Sequence, residues 1–170
     1  MSELPNELTR FRAYRSDLPG YMERWILQTP WGTLRLHHIL RSDDDRQLHD
    51  HPWAFWSLLL TGGYREFLPG LISPAGNGFA AIQNQRYWPR FSIVRHSATD
   101  AHRLELTEGP VWTLVWTGPF QRQWGFWLPE KPPRWVSYRE WRELHPEKAW
   151  ADIGEREDRD AALDQLPRVE

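Results

Sequence analysis

Residues 33–68 read TLRLHHILRSDDDRQLHDHPWAFWSLLLTGGYREFL, and this stretch decides the predicted fold. It contains three runs rich in branched and aromatic residues, at residues 33–40, 55–61 and 64–68. Apolar and polar residues alternate with a period of two in the first run, which is typical of a β-strand. Gly62 and Gly63 separate the second run from the third, and two glycines between strand patterns predict a tight hairpin in which both take a positive φ.

The rest of the chain carries the same kind of pattern. Further strands are predicted at residues 21–28, 47–51, 79–83, 90–94, 102–106, 111–117 and 123–128. Pro132 and Pro133 are predicted to close the sheet region. Ser137 and Glu140 then form a capping box, which predicts a short helix that ends near Leu144. Eight to ten short strands and one late helix predict an all-β sandwich or barrel rather than a βαβ fold.

Aromatic residues are unusually frequent, with 12 Trp among 170 residues. We expect most of them to fill a β core, and the alternative is a surface that stacks bases or sugars. Trp112 and Trp116 share one side of their strand and are expected to fill the interior. His38 lies on the apolar face of its strand and is expected to be a core histidine, whereas His37 is expected to be exposed.

Composition disfavours several classes of function. The 21 basic and 23 acidic residues give a net charge of -2, which argues against a nucleic-acid partner. Cysteine is absent, so a metal site must use nitrogen and oxygen ligands. No apolar run is long enough to span a membrane and the N-terminal stretch lacks a signal-peptide core, which predicts a cytoplasmic protein with no membrane partner.

One domain is predicted at residues 1–147, followed by an acidic tail at residues 148–170. Residues 151–170 contain seven acidic and three basic side chains and few apolar ones. We expect this tail to be a solvated appendage that is either helical or flexible.

His49, Asp50 and His51 form the most informative tripeptide. In a strand, residues i and i+2 point to the same side, so both imidazoles project to one face and Asp50 to the other. A single ion such as Fe(II), Zn, Ni, Cu or Mn could bridge the two imidazoles. Three residues qualify as a further ligand, in this order of preference: His102, His96 and His38. The alternative is that the pair is a coincidence on the surface.

Three blocks of sequence resemble the small single-domain cupin-like proteins of bacteria and phages. The blocks are RSDDDRQLHDHPWAFWSLLLTGGYREF at residues 41–67, RHSATDAHRLEL at residues 95–106 and PVWTLVWTGPFQRQWGF at residues 110–126. The resemblance spans roughly residues 20–145. It implies a cupin-type double-stranded β-helix, or jelly-roll barrel, in which His49, His51 and His102 match the metal ligands and Gly62 ends the first motif.

The general cupin pattern also has a carboxylate ligand, and this sequence has none at the matching place. Residues 55–57 (FWS) occupy that neighbourhood. The departure favours a three-histidine site like that of thiol dioxygenase-type cupins. Glu66 would replace the missing carboxylate if it faces inward, and the alternative is an exposed strand residue.

These observations predict a metal-dependent oxidoreductase, a mononuclear non-haem Fe(II) dioxygenase or hydroxylase. Its substrate would be a small polar or carboxylate-bearing molecule, or a residue of a peptide. The cofactor is one divalent transition metal, with Fe(II) favoured and Zn, Ni or Mn as alternatives. Glu66 and Arg122 are the predicted catalytic residues. Arg122 would clamp a substrate carboxylate, and the alternative is a surface arginine.

The sequence is also compatible with two other classes of function. The chain would be a non-enzymatic module that binds a small ligand, or a metal-independent sugar epimerase or isomerase. An epimerase needs a histidine base with a supporting carboxylate and a tyrosine in the pocket. A homodimer formed through edge strands is a further hypothesis.

Overall fold

The computed structural model describes residues 11–43, 47–70, 72–75, 78–81, 84–130 and 132–145. The predicted acidic tail at 148–170 lies outside the described residues. The strands are β1 (Arg12–Arg15), β2 (Met22–Thr29), β3 (Gly32–Ile39), β4 (Leu48–His49), β5 (Phe55–Leu59), β6 (Tyr64–Leu68), β7 (Ile72–Ala75), β8 (Gly78–Ala81), β9 (Asn84–Trp88), β10 (Ile93–His96), β11 (Arg103–Leu106), β12 (Val111–Thr117), β13 (Gly125–Leu128) and β14 (Arg134–Ser137). One helix, α1 (Tyr138–Leu144), follows them, and no helix of the described residues is long and apolar enough to cross a membrane.

The strands form two large antiparallel layers. The first sheet has the order β1-β2-β3-β12-β5-β10. In the second layer, β9, β6 and β11 form one sheet and β4, β13 and β14 form another. His49 of β4 and His102, just before β11, join these two sheets by exchanging backbone hydrogen bonds of 2.9 and 2.8 Å. The second layer therefore runs in the order β9-β6-β11-β4-β13-β14.

Eight of these strands have jelly-roll connectivity. β3 pairs with β12, β5 with β10 and β6 with β9, and the bridge between His49 and His102 joins β4 to the start of β11. The chain thus folds as one long hairpin that wraps around an interior, with β3-β12-β5-β10 on one side and β4-β11-β6-β9 on the other. This order is that of the cupin-type double-stranded β-helix. The predicted all-β fold class with a short C-terminal helix is confirmed.

The helix begins where the capping box predicts. The Ser137 hydroxyl accepts a hydrogen bond of 3.2 Å from the Glu140 backbone amide. However, Pro132 and Pro133 do not close the sheet region, because β14 follows them and pairs with β13. Both prolines precede the strand, so their missing N–H groups cost the ladder no hydrogen bond. The buried face of the helix packs on these last strands through a hydrophobic cluster that is mostly aromatic: Trp124, Phe126, Leu128, Val136, Tyr138 and Trp141.

The hairpin predicted at Gly62 and Gly63 is wrong. The two strands that flank the glycines, β5 and β6, lie in different layers, so the glycines mark a crossover. Gly62 has a φ of 64°, in the left-handed region that favours glycine. A Cβ atom on Gly63 would lie only 3.0 Å from the backbone oxygen of Trp88. Gly62 therefore supplies a left-handed backbone conformation and Gly63 allows the Trp88 backbone to pass close by, and the two do not form a two-residue turn.

The inner face of β3 is the opposite of the one predicted. Arg35 and His37 line the interior, whereas His38 lies on the outer face, with its ring stacked on Trp112 at a centroid distance of 4.2 Å. In β12, Trp112 and Trp116 are half-buried on the outer face, so neither fills the interior as predicted. The prediction failed because β3 carries Arg35 and His37 on its inner face and the half-buried Leu34 and Leu36 on its outer face, which reverses the usual pattern.

Candidate metal centre

A cavity of about 120 Å³ lies between the two layers. The first sheet lines it with Arg24, Arg35, His37, Ser57, Thr113, Thr117 and other residues. The second layer and its adjoining segments line it with His49, His51, Tyr64, His102, Leu104, Phe126 and others. Imidazole, guanidinium and hydroxyl groups thus share the wall of this cavity with many apolar side chains.

Three imidazoles converge at one wall of this cavity. One ring nitrogen from each of His49, His51 and His102 lies within 4.8 Å of the others. The Nε2 atoms of His51 and His102 are 2.8 Å apart. Two nitrogens that bind one ion at about 2.1 Å lie roughly 3 Å apart in a tetrahedral or octahedral site, so this separation fits a shared metal.

The local structure explains why these residues meet. β4 ends at His49, and His51 follows it outside the strand, just before Pro52. The backbone pairing of His49 with His102 places two distant parts of the chain side by side. The His51 ring lies beside both of these imidazoles, with centroid distances of 5.2 Å to His49 and 5.0 Å to His102.

Burial favours the neutral imidazoles that bind metals. Burial lowers the pKa of His51 well below its usual value, and the neighbouring His102 and His49 lower it further. Burial also lowers the pKa of His102, to about 4, although its hydrogen bond to Glu66 acts in the opposite direction. A neutral imidazole presents a lone pair, so the donor set suits a divalent transition metal.

Glu66 faces inward and lies behind His102. It is 1% exposed, and its Oε1 accepts a hydrogen bond of 2.6 Å from Nδ1 of His102. Its Oε2 accepts one of 2.7 Å from the Trp88 indole. Burial raises the pKa of Glu66, but the hydrogen bonds from His102 and His96 outweigh it and hold the pKa well below its usual value. This carboxylate fixes the His102 ring with Nε2 toward His51, as in carboxylate–histidine–metal arrangements.

The other proposed ligands lie elsewhere. His96 is buried on the Glu66 side of His102, with its Nε2 2.8 Å from Glu66 Oε1. These two residues and His102 form a second group of ligand atoms within 4.8 Å of one another. His38 lies on the outer face of the first sheet, where its Nδ1 is 2.9 Å from a Glu23 carboxylate oxygen.

Asp43 is a site residue that the sequence analysis missed. Its Oδ2 lies 3.9 Å from Nδ1 of His49. Its carboxylate also accepts hydrogen bonds from the Tyr21 hydroxyl at 2.5 Å and the Leu104 amide at 2.7 Å. The acidic run just before the histidine pair was the available signal. At 3.9 Å the Asp43 carboxylate is too far from His49 for a direct hydrogen bond, unlike that of Glu66, which lies 2.6 Å from His102.

Arg122 is not among the described residues that line the cavity. Its guanidinium forms an ion pair with Asp50 and lies 4.9 Å from the centroid of the Trp135 ring. Asp50 is 1% exposed and also accepts hydrogen bonds of 2.8 Å from the Gly125 amide and the Trp135 indole. Asp50 thus points away from the imidazoles, as strand alternation predicts, and Arg122 belongs with it.

Comparison with known proteins gives matches to solved structures alone. No family model matches the chain, and no curated protein matches its sequence. The chain is similar to hydroxypropylphosphonic acid epoxidase from S. wedmorenis in complex with fosfomycin, with 13% identity and a TM-score of 0.46. That match covers 61% of this chain and 55% of the epoxidase, so the chain spans little more than half of the epoxidase's length.

Two further solved structures match with similar TM-scores. KdgF from Halomonas sp. has 13% identity and a TM-score of 0.45, and the match covers 64% of this chain and 89% of KdgF. Drosophila melanogaster CENP-C bound to CAL1 has 6% identity and a TM-score of 0.47, and the match covers 62% of this chain and 81% of that one.

Proposed function

We propose that this protein is a metal-dependent cupin oxidoreductase, a mononuclear non-haem Fe(II) dioxygenase or hydroxylase. His49, His51 and His102 would hold the ion. The observation that carries the proposal is the approach of the His51 and His102 Nε2 atoms to 2.8 Å, with a nitrogen of His49 close by, at the wall of a cavity. A small polar or carboxylate-bearing molecule would be the substrate, because the cavity is small and partly polar.

The residues around the ion would have separate tasks. When bound, Fe(II) supplies one-electron chemistry with O2. Glu66 holds the proton on Nδ1 of His102, so that Nε2 keeps its lone pair for the ion. Phe55 and Phe126 lie against the imidazoles, with ring centroids 4.8 Å from His51 and 6.1 Å from His49 respectively. These rings exclude water from one side of the imidazole cluster, which strengthens electrostatic interactions within it.

A metal-independent epimerase or isomerase is a second candidate, and one observation favours it. His102 and Glu66 form a histidine–carboxylate pair at 2.6 Å, and Tyr64 lines the same cavity. Burial raises the pKa of Tyr64, so its hydroxyl stays protonated and available as a donor. Such an enzyme would need His102 but not the full set of three imidazoles.

Metal content separates the two candidates. Protein loaded with Fe(II) without oxygen and then dialysed should retain about one ion per chain, as should His38→Ala, which removes an imidazole from the outer face. His49→Ala and His51→Ala should lose the ion while keeping the β-sheet circular dichroism of the parent. Retention of the ion in both variants would rule out the three-histidine site. Oxygen consumption by the loaded parent, absent in the variants, would support the oxidoreductase.

A further inference from the structure

The outer face of the first sheet carries an unusual number of apolar side chains. In the four central strands of this sheet, the residues that alternate with the cavity-lining ones point to the outer face. Cross-strand pairing aligns them in two neighbouring rows, each apolar except for an arginine at one end. One row is Ala13, Leu27, Leu34, Trp116, Trp56 and Arg95, and the other is Arg15, Trp25, Leu36, Leu114, Leu58 and Ile93.

The outer face of the opposite layer is polar, as the exposed face of an antiparallel sheet usually is. There Arg65 of β6 pairs across the strands with Glu105 of β11 and Tyr87 of β9, and its guanidinium donates a hydrogen bond of 3.0 Å to Glu105. The first sheet differs, because Trp56 and Ile93 on its outer face are 50% and 62% exposed. A contiguous apolar patch of this kind is typical of a surface that binds another protein.

The size of the outer face suits a stable dimer. Strands lie about 4.8 Å apart and rise about 3.4 Å per residue, so six strands of four to eight residues cover roughly 500–600 Å². The relief of the side chains adds to this flat area. A standard protein interface buries about 800 Å² on each partner, so a contact over the whole face has the area that a specific dimer needs.

The chemistry of the face favours a second copy over other occupants. Leucines lie beside the tryptophans in both rows, so a stacked sugar or base would place polar groups against apolar ones. Residues 151–170 of the same chain are also a poor match, because their seven acidic and three basic side chains would lose water there. A second copy brings an equally apolar face, and contact between the two removes apolar surface from water without burying charge.

The two arginines lie where an interface tolerates charge. Arg15 is in β1 and Arg95 is in β10, the outermost strands of the sheet, so both guanidinium groups belong to the rim of the face. Arg15 forms ion pairs with Asp17 and Glu23. Interfaces commonly have an apolar centre and a polar rim that stays in contact with water, and this face has that arrangement.

We propose that this protein is a homodimer in which the outer faces of the two first sheets pack against each other. The two sheets would lie about 10 Å apart, as in a β-sandwich, and two-fold symmetry would bury the same residues on each copy. This interface uses the face of the sheet and not the strand edges. The imidazole cavity lies on the inner side of the same sheet, so dimerisation does not depend on a bound metal.

Sedimentation velocity of the full chain tests the proposal. The parent should sediment as a dimer at about 100 μM, and Trp56→Glu should weaken the dimer by at least about 100-fold, because symmetry places two charges in the apolar interface. Tyr87→Glu is the matched control, since it places the same charge at an aromatic residue that is 49% exposed on the outer face of the other layer. Tyr87→Glu should remain a dimer, and all three proteins should keep the same β-sheet circular dichroism.

Thiol labelling gives a second measurement that needs no charged variant. The chain has no cysteine, so Ile93→Cys and Tyr87→Cys each carry one thiol. A maleimide should label Ile93→Cys more slowly at about 100 μM than at about 0.1 μM, where a micromolar dimer has dissociated, and should label Tyr87→Cys equally at both.

Three outcomes would overturn the proposal. A parent that is monomeric at the higher concentration excludes the dimer. A dimer that Trp56→Glu leaves intact, with the Ile93→Cys thiol fully reactive, must use another surface. Protection of the Ile93→Cys thiol in monomeric protein would show that a segment of the same chain covers the face.

Discussion

The two sides of the chain at residues 49–51 have different tasks. On one side, His49 and His51 meet His102 at the wall of a cavity. On the other side, Asp50 is buried among donors, with Arg122 as its ion-pair partner. His49 and His51 therefore face a cavity that can take a ligand, whereas Asp50, between them in the sequence, is already bound to donors of the protein itself.

The difference shows how a jelly roll can carry a polar site without losing stability. Asp50 ties the chain after β4 to β13 and β14 through the Gly125 amide and the Trp135 indole, each at 2.8 Å. On the imidazole side, the ring nitrogens of the three histidines face one another and the cavity, so they can bind an ion. We therefore expect variants on the Asp50 side to change stability and variants on the histidine side to change binding.

Asp50→Ala tests this separation with the largest expected effect. The change leaves two buried N–H donors and a guanidinium without their acceptor, which should lower the free energy of unfolding by about 3–5 kcal/mol. Urea unfolding of metal-free protein measures the loss, and His51→Ala, which removes no buried charge, is the comparison. The folded fraction of Asp50→Ala should still bind one ion per chain. Unaltered stability, or a folded variant that binds no ion, would contradict the separation.

Glu66→Gln sharpens the comparison on the histidine side. Glutamine keeps the size of the side chain but loses the charge that orients His102, so metal affinity should fall about 10- to 100-fold. A competition titration of Zn(II) with a chelator measures the change without relying on activity. Glu105→Gln, on the neighbouring strand β11 and 40% exposed in its side chain, is the matched control and should bind as the parent does. An affinity equal to that of the parent would show that Glu66 has no role in positioning His102.

Much of the fold was predictable from the sequence because local patterns there agree with the tertiary structure. The alternation in residues 111–117 and 64–68 corresponds to strands with those same bounds. The capping box at Ser137 marks the true start of the helix. The order of the three sequence blocks and the His-x-His spacing also indicated a cupin-type jelly roll, a topology that the strand pairing confirms.

The parts that could not be predicted depend on contacts between distant segments. Arg122 and Asp50 are 72 residues apart, and nothing local shows that they pair. The inward direction of Arg35 and His37 contradicts the rule that apolar residues face inward, and the alternation within β3 alone could not reveal it. A sequence also gives no sign that Glu66 lies behind His102 rather than beside the histidine pair. The predicted ligand set of three histidines stays a prediction until metal binding is measured.

Arg122→Met gives the smallest expected effect and decides between two interpretations of one residue. The sequence suggested a substrate clamp, whereas the structure pairs Arg122 with Asp50. The side chain of Arg122 is 30% exposed, so solvent screens the pair and the loss of stability should be about 1 kcal/mol. Urea unfolding and acetate titration of the same metal-free sample measure both properties. A substrate clamp would show the reverse pattern, weaker binding of a small carboxylate such as acetate at unchanged stability.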